Sequence, residues 1–570
     1  MVKINLNHPK NIQIFFWIVG LSLAFLQAVA YRNIPSSEDI VSYLDIADAY
    51  LQRDWTHAIN GNWSPLYSWI LGLTMGILRA SPFLDFPTVK LVNFMMFIFS
   101  FVSFEFLLNG LPPDKLLQVP SWVRLSLAYT LFLFSGLYWV GINCDTPDMS
   151  TVGLIYLAAG LVLRISKEPE RWLNFIFLGI VLAFGYFSKA VMLPLSFVFL
   201  IVAFLTVRNF HKALPRTIAT FLVLVLVTSP YISALSLKLG KLTFSETGKL
   251  SYIWYIYPTA SVIPDRHWQG GNPEFGIPKH PTRKIFSNPD IFEFDKPIGG
   301  TYSPWTDPSY WYEGIIPRFN LKASLNIFAQ NILFYQDRFL GALVFCYLLL
   351  AILYGRLAII RNCLMENWHL LTISISGLGI YALSTNFVVN NLTYQPSTRF
   401  IAAFSVLLFI GIFSKVPIPK LKSAKRLVVS LSIVTLLFVS VQFSFMAAKA
   451  LVVGFGKGQN IHWQVAEGMN QLGLRPGDKI AVINNSNSHV FWARLAQVRI
   501  IVEHSEPQNE DNTKWIKDET TFTNVLKAIQ EAGVDVVVTQ ADETPPATFP
   551  YIKWKQAGNT KYFAYFLRNP

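Results

Sequence analysis

One carboxylate stands where a base at a membrane surface would stand. Asp39 sits in PSSEDIVSYLDIADAYLQRDW, just after the apolar run 12–30. In a helix, Asp39, Tyr43 and Ala47 share one face. A general base must reach the hydroxyl it deprotonates from a partly desolvated position. The first turn of a helix lying at the interface is such a position. The same residues also suit a plain helix start. Ser36, Ser37 or Asp39 could cap it, and the helix dipole favours an acid in its first turn. Asp45 and Asp48 read as a solvated face of that helix. A second acidic turn, Cys144-Asp145-Thr146-Pro147-Asp148, precedes another apolar run. There Thr146, Pro147 and Asp148 fit the cap, first-turn proline and first-turn acid of a helix.

The elements that position these residues follow from composition. The 570 residues are 52% hydrophobic and 14% charged, with 46 Phe and 16 Trp, which excludes an ordinary soluble enzyme. Apolar spans are expected at 12–30, 89–108, 122–142, 149–164, 172–188, 190–207, 217–236, 337–355, 367–388, 399–414 and 427–447, about eleven in all. The first is too long for a signal-peptide core and no small-residue cleavage site follows it, so it reads as a retained helix.

Lys and Arg then fall on alternate connections. They are Lys3 and Lys10, Lys115, Arg164 with Lys167 and Arg171, Arg208 with Lys212 and Arg216, Arg356 with Arg361, and the cluster 415–426. The positive-inside rule makes that side, and the N-terminus, cytoplasmic. It also accounts for the formal charge of +13 without a nucleic-acid partner. The acidic stretch, the Asp145/Asp148 turn, the loop 237–336 and the C-terminal tail fall on the outer side. Segment 64–80 is apolar but short. If it crossed, every later basic loop would face outward, so it is expected to lie in, or dip into, the outer leaflet.

Beyond 455 the pattern changes to α/β. Helices are expected at 464–472 and 520–532, and strands at 479–483, 534–538 and 562–567. The fold class is therefore an α-helical polytopic membrane protein with a small C-terminal α/β extracytoplasmic domain. Its expected parts are a membrane module at 1–236, a long outer loop at 237–336, further spans at 337–450 and the α/β domain at 455–570. The loop carries HWQGGNPEFGIPKHP and GTYSPWTDPSYWYEG. Such aromatic density suits packing on the membrane surface or a cap that recognises an acceptor. His267 and His280 lie too far apart to argue a metal site, and Cys144, Cys346 and Cys363 have no ligand or disulfide spacing.

Asp39 to Ala47, D-I-V-S-Y-L-D-I-A, resembles the first outer-loop motif of the GT-C glycosyltransferase fold, closest to the protein O-mannosyltransferase and aminoarabinose transferase superfamily. There an acid is followed four positions later by Tyr and then by an Ile-Ala or Ile-Ser pair, which Asp39, Tyr43, Ile46 and Ala47 match. Asn62-Trp63-Ser64-Pro65-Leu66-Tyr67 resembles the Pro-rich lead-in to an interfacial helix. Cys144 to Asp148 resembles the second outer loop. Phe187-Ser188-Lys189-Ala190 is similar to a Leu-Thr-Lys-Gly segment, and Arg399-Phe400 to a late Arg-Tyr element. The likeness covers the first 240 residues by motif and the next 210 by topology. The family's Lys before the Pro pair is absent, and Trp63 and Ser64 stand in its place.

This resemblance implies a membrane glycosyltransferase with a polyprenyl-phosphate-linked sugar as donor, an acceptor hydroxyl on a lipid, glycan or protein, and inversion at the anomeric carbon. It makes Asp39 the base, and Lys189 and Arg399 ligands of the phosphate. Cations at membrane depth are costly without an anionic partner, although both could instead snorkel to the interface. It makes Tyr43, Asp145 and Asp148 substrate contacts. No cofactor is expected; with no Asp-x-Asp in the first outer loop, a divalent metal is not evident. A bacterial inner membrane is expected, because outward sequons such as Asn391-Leu392-Thr393 sit beside helix ends. The alternative from another class is a polytopic transporter or lipid flippase. Such proteins place ionisable residues near the bilayer midplane, in broken and repeated helices.

Overall fold

The computed structural model describes residues 9–79, 81–111, 120–256, 267–271, 273–354, 364–390, 397–414, 422–456, 460–483, 486–504, 515–516, 518–541 and 554–567. Lys3, Lys115, Arg356, Arg361, Lys415, Lys420, Cys363 and the 391–393 sequon lie outside the described residues.

Among the described residues, six helices are long and apolar enough to cross a membrane: Pro9–Ala30, Pro82–Gly110, Ser121–Val140, Asp148–Lys167, Phe210–Leu239 and Lys425–Gly454. Shorter apolar helices occupy other expected spans: Trp172–Ser188, Met192–Thr206, Trp368–Ser384 and Ala402–Phe413. Gly341–Tyr354 continues Leu321–Tyr335 through a π turn. The chain is a multi-pass membrane protein.

Asp148–Lys167 is the hub of the bundle. Its first turn holds Asp148 and its last turn Arg164 and Lys167, so both ends match the helix dipole. Gly153 and Gly160 let the neighbouring helix Asp85–Gly110 lie close against it. A Cβ on Gly160 would meet the Phe106 ring at 2.6 Å and Leu107 Cα at 3.2 Å. Small residues at such spacing are how membrane helices gain packing that lipid cannot supply.

Two helices at one end of the bundle do not follow the span pattern. Asp39–Leu51 is buried over most of its length. Pro65–Leu78 starts with proline in its first turn and, at 1.5 Å per residue, is roughly 21 Å long. That is short of a hydrocarbon core of about 30 Å. The two lie side by side: a Cβ on Gly72 would come 3.2 Å from the Ala47 carbonyl oxygen.

Five strands of the C-terminal residues and two from the loop 237–336 form an open sheet, in the order β1-β2-β4-β3-β5-β7-β6. The strands are β1 Arg283–Phe286, β2 Ile291–Glu293, β3 Lys479–Ile483, β4 Arg499–His504, β5 Val536–Gln540, β6 Lys555–Gln556 and β7 Tyr562–Phe566. β4, β3 and β5 are parallel and the remaining pairs antiparallel. The helices Ile461–Gln471 and Glu519–Glu531 fall where the sequence pattern puts them.

Two expectations are corrected here. The loop 237–336 is not separate from the tail, because it supplies β1 and β2. Without them β4 would end the parallel core with bare backbone donors and acceptors. β2 covers that edge, pairing Ile291 with His504 and Glu293 with Val502. Nor do Asp45 and Asp48 form a solvated face. Both meet Arg494, whose NH1 lies 3.0 Å from Asp45 Oδ1 and 2.6 Å from Asp48 Oδ2, while its Nε lies 2.8 Å from Asp85 Oδ2. Arg494 belongs to the short helix Val490–Leu495 in the α/β domain. Ile40, Leu44, Tyr67 and Leu71 share one apolar core with Trp311, Val465, Ile480 and Trp492. The α/β unit is thus packed onto the two short helices rather than tethered beside them.

Candidate active site

Asp39 is the first residue of its helix and is half-buried. Its Oδ1 accepts a hydrogen bond from the Trp305 indole Nε1 at 3.2 Å. Burial raises the Asp39 carboxyl above its ordinary pKa. Arg399 opposes that, Glu38 adds to it, and Trp305 and Lys189 oppose it further. Tyr43 follows one turn later, fully buried, its ring 5.2 Å from Trp63 and 5.1 Å from Tyr67.

Asp148 opens the hub helix and is buried. Lys189 stands in the break between Trp172–Ser188 and Met192–Thr206 and pairs with Asp148. The break is fixed from below, where the Ser188 hydroxyl bonds Thr151 at 2.7 Å and Ser150 at 2.9 Å. Arg399 lies in the 3₁₀ turn Ser397–Phe400, its Nε 3.4 Å from Asp148 Oδ2. That is too long for a good hydrogen bond. The Phe400 ring lies under both cations, 4.3 Å from Lys189 Nζ and 4.8 Å from the Arg399 guanidinium carbon. Lys189 and Arg399 stay partly open, with side chains 19% and 14% exposed against 3% for Asp148.

Two cations and two carboxylates, from four distant stretches of chain, thus meet at one end of the bundle. An anion arriving there would find donors that Asp148 only partly engages. Asp39 would lie within the electrostatic reach of both cations.

No family model matches the chain, and no curated protein matches it. Solved structures do. ArnT from Cupriavidus metallidurans bound to undecaprenyl phosphate is similar over 98% of this chain and 98% of its own, at 11% identity and a TM-score of 0.52. The chain has the GT-C fold. The same ArnT in the apo state gives 0.47 over 97% of each chain, also at 11% identity. The Archaeoglobus fulgidus oligosaccharyltransferase complex with Zn and sulfate gives 0.44 at 11% identity, over 96% of this chain and 73% of its own.

Within the GT-C frame the expected residues divide. Asp39, Tyr43, Asp148, Lys189 and Arg399 lie within electrostatic reach of one another. Asp145 is held in an ion pair of its own. It is wholly buried against Lys90, whose Nζ lies 2.5 and 2.7 Å from its two oxygens, and it also accepts from Asn93 and from the Ser36 backbone N–H. Its carboxylate fixes the lead-in to the Asp39 helix onto the helix Asp85–Gly110. Lys90 escapes sequence reasoning because it falls inside an expected span. The signal was present: a lysine within an apolar helix needs a buried acid, and Asp145 was the acid available. Trp305 also escapes, as one aromatic residue among many in its loop.

Proposed function

We propose that the protein is a membrane glycosyltransferase that moves a sugar from a polyprenyl phosphate to an acceptor hydroxyl, inverting the anomeric carbon, at the outer face of a bacterial inner membrane. The observation that carries this reading is the convergence of Asp39, Asp148, Lys189 and Arg399. The undecaprenyl phosphate bound to ArnT, which shares the fold, supports the donor class. The basic residues on alternate connections support an outward site and a cytoplasmic N-terminus.

In this reading Asp39 takes the acceptor's proton as the acceptor oxygen attacks the anomeric carbon. The bond from that carbon to the phosphate oxygen breaks, and the pair of electrons leaves with the polyprenyl phosphate. Lys189 and Arg399 meet the charge that develops there. Asp148 holds both cations in place before the lipid arrives. The site's total charge does not change during the step, since the negative charge lost at Asp39 appears on the phosphate. A phosphate leaves readily, so a protonating acid of the kind glycosidases use is less needed. These four charges also stand at helix starts and at the turn between two helices, not midway along the spans, which favours this reading over the transporter alternative.

The test is transfer or hydrolysis of labelled sugar from a panel of undecaprenyl-phosphate sugars by purified protein in lipid. Lys189→Ala and Arg399→Ala should each raise the donor KM by about 10-fold or more, as loss of a charge-assisted contact predicts. Their thermal midpoints should also fall, since each leaves the buried Asp148 with one cation fewer. No turnover of any donor, or variants with the parent's donor KM, would reject the reading.

A further inference from the structure

The loop that supplies β1 and β2 also reaches the proposed base. We infer that Trp305 is a positioning residue for Asp39, its indole N–H fixing Oδ1 so that Oδ2 is presented to the acceptor hydroxyl. This rests on Asp39 being the base. Among the described residues, Trp305 makes the only side-chain hydrogen bond to Asp39.

Trp305 is itself tightly placed. Its carbonyl oxygen accepts from Ser42 Oγ at 3.0 Å, on the same helix one turn beyond Asp39, and from Trp63 Nε1 at 3.1 Å. Its ring stacks on Trp254 at 5.8 Å and meets Trp63 edge-on at 5.8 Å. The residues around it are pinned to Asp45. Thr301 donates through its backbone N–H at 2.8 Å and its hydroxyl at 2.9 Å, and Thr306 through its hydroxyl at 3.2 Å. Asp45 in turn holds Arg494 of the α/β domain. A continuous set of contacts therefore runs from the α/β domain through Asp45 and the loop to the carboxylate. A carboxylate with one oxygen fixed loses rotational freedom and keeps the other aimed. That is the kind of orientation on which proximity effects depend.

The charged and titratable groups facing Asp39 are Glu38 just before its helix, Tyr43 on it, Lys189 at the helix break, and Arg399 before the helix Ala402–Phe413. Asp148 faces it across the two cations, and Tyr255 interacts with Arg399 from the loop side. The indole N–H favours the ionised form of Asp39. Removing it should therefore leave the carboxyl harder to ionise.

The experiment is Trp305→Phe, which keeps an aromatic ring and deletes the donor. It should lower kcat by about 10-fold while leaving the donor KM within twofold. The acid limb of the kcat/KM profile should move to higher pH. Trp305→His, which restores a ring N–H, should recover part of the rate. Binding of undecaprenyl phosphate, measured separately, should be unchanged in Trp305→Phe and so certify the fold. If Asp39→Asn is inactive but Trp305→Phe keeps the parent's kcat and pH profile, the inference fails while the base assignment stands. If Asp39→Asn is fully active, the base assignment itself has failed. A rise in donor KM without a change in the pH profile would make Trp305 a donor contact and overturn its positioning role.

Discussion

Asp39→Asn should reduce turnover by at least the roughly 10²-fold typical of losing a general base, with donor KM nearly unchanged. The asparagine fills the same volume and can still meet the Trp305 side chain, so the fold should persist. The loss should fall on kcat, because a base contributes when the proton moves and not when the lipid binds. The pH dependence has a definite sign. Burial holds the Asp39 carboxyl above its ordinary range, and the base acts only when ionised. The kcat/KM of the parent should therefore be complete at high pH and decline as pH falls through that raised value, earlier than for a solvent-exposed aspartate. Asp39→Asn should show a low rate and no such acid limb. A pH–rate profile of parent and variant checks both points. An unchanged rate would reject Asp39 as the base.

The second large effect is structural. Arg494→Ala should destabilise the protein by about 3–5 kcal/mol, the usual cost of removing one member of a buried ion cluster. Arg494 is 4% exposed, and of the three carboxylates it leaves behind, Asp45 and Asp85 are 5% and 2% exposed and Asp48 26%. Those groups would repel one another without a cation between them. Arg494→Lys should recover only part of the loss. The guanidinium uses Nε and NH1 toward different acids, and an ammonium cannot reproduce that fork. Thermal unfolding in lipid, with limited proteolysis of the 455–570 region, measures the effect. A thermal midpoint equal to the parent's would show that the α/β domain is held by its apolar core alone.

Much of this site was legible because charge at the end of an apolar run stands out. Asp39, Asp148, Lys189 and Arg399 are each such a residue, and each sits at a helix start or break. The strand β3 was legible for a related reason: a strand in a parallel core reads as a short continuous apolar run. What stayed hidden depended on distant partners. Helical spacing made Asp45 and Asp48 look exposed, because nothing local announces an arginine 449 positions away from Asp45. β4 ends in Glu503 and His504, two polar residues that are nonetheless buried, and so it did not read as a strand. Glu503 is satisfied by Tyr302 at 2.7 Å, with His267 and Ser486. Those contacts bind the loop to the tail and explain why a boundary drawn at 336 does not divide the structure. Asp145 was visible, but its pairing with Lys90 needed the helix Asp85–Gly110 to be placed beside the Cys144 turn.

In the proposed function, Lys189 and Arg399 grip the phosphate of a lipid-linked sugar within reach of Asp39. The most direct measurement is a structure of the purified protein in lipid with added undecaprenyl phosphate. Phosphate density bonded to Lys189 and Arg399, beside the Asp39 carboxylate, is the predicted result. Phosphate bound elsewhere, with Lys189 and Arg399 still paired with Asp148, would contradict this reading.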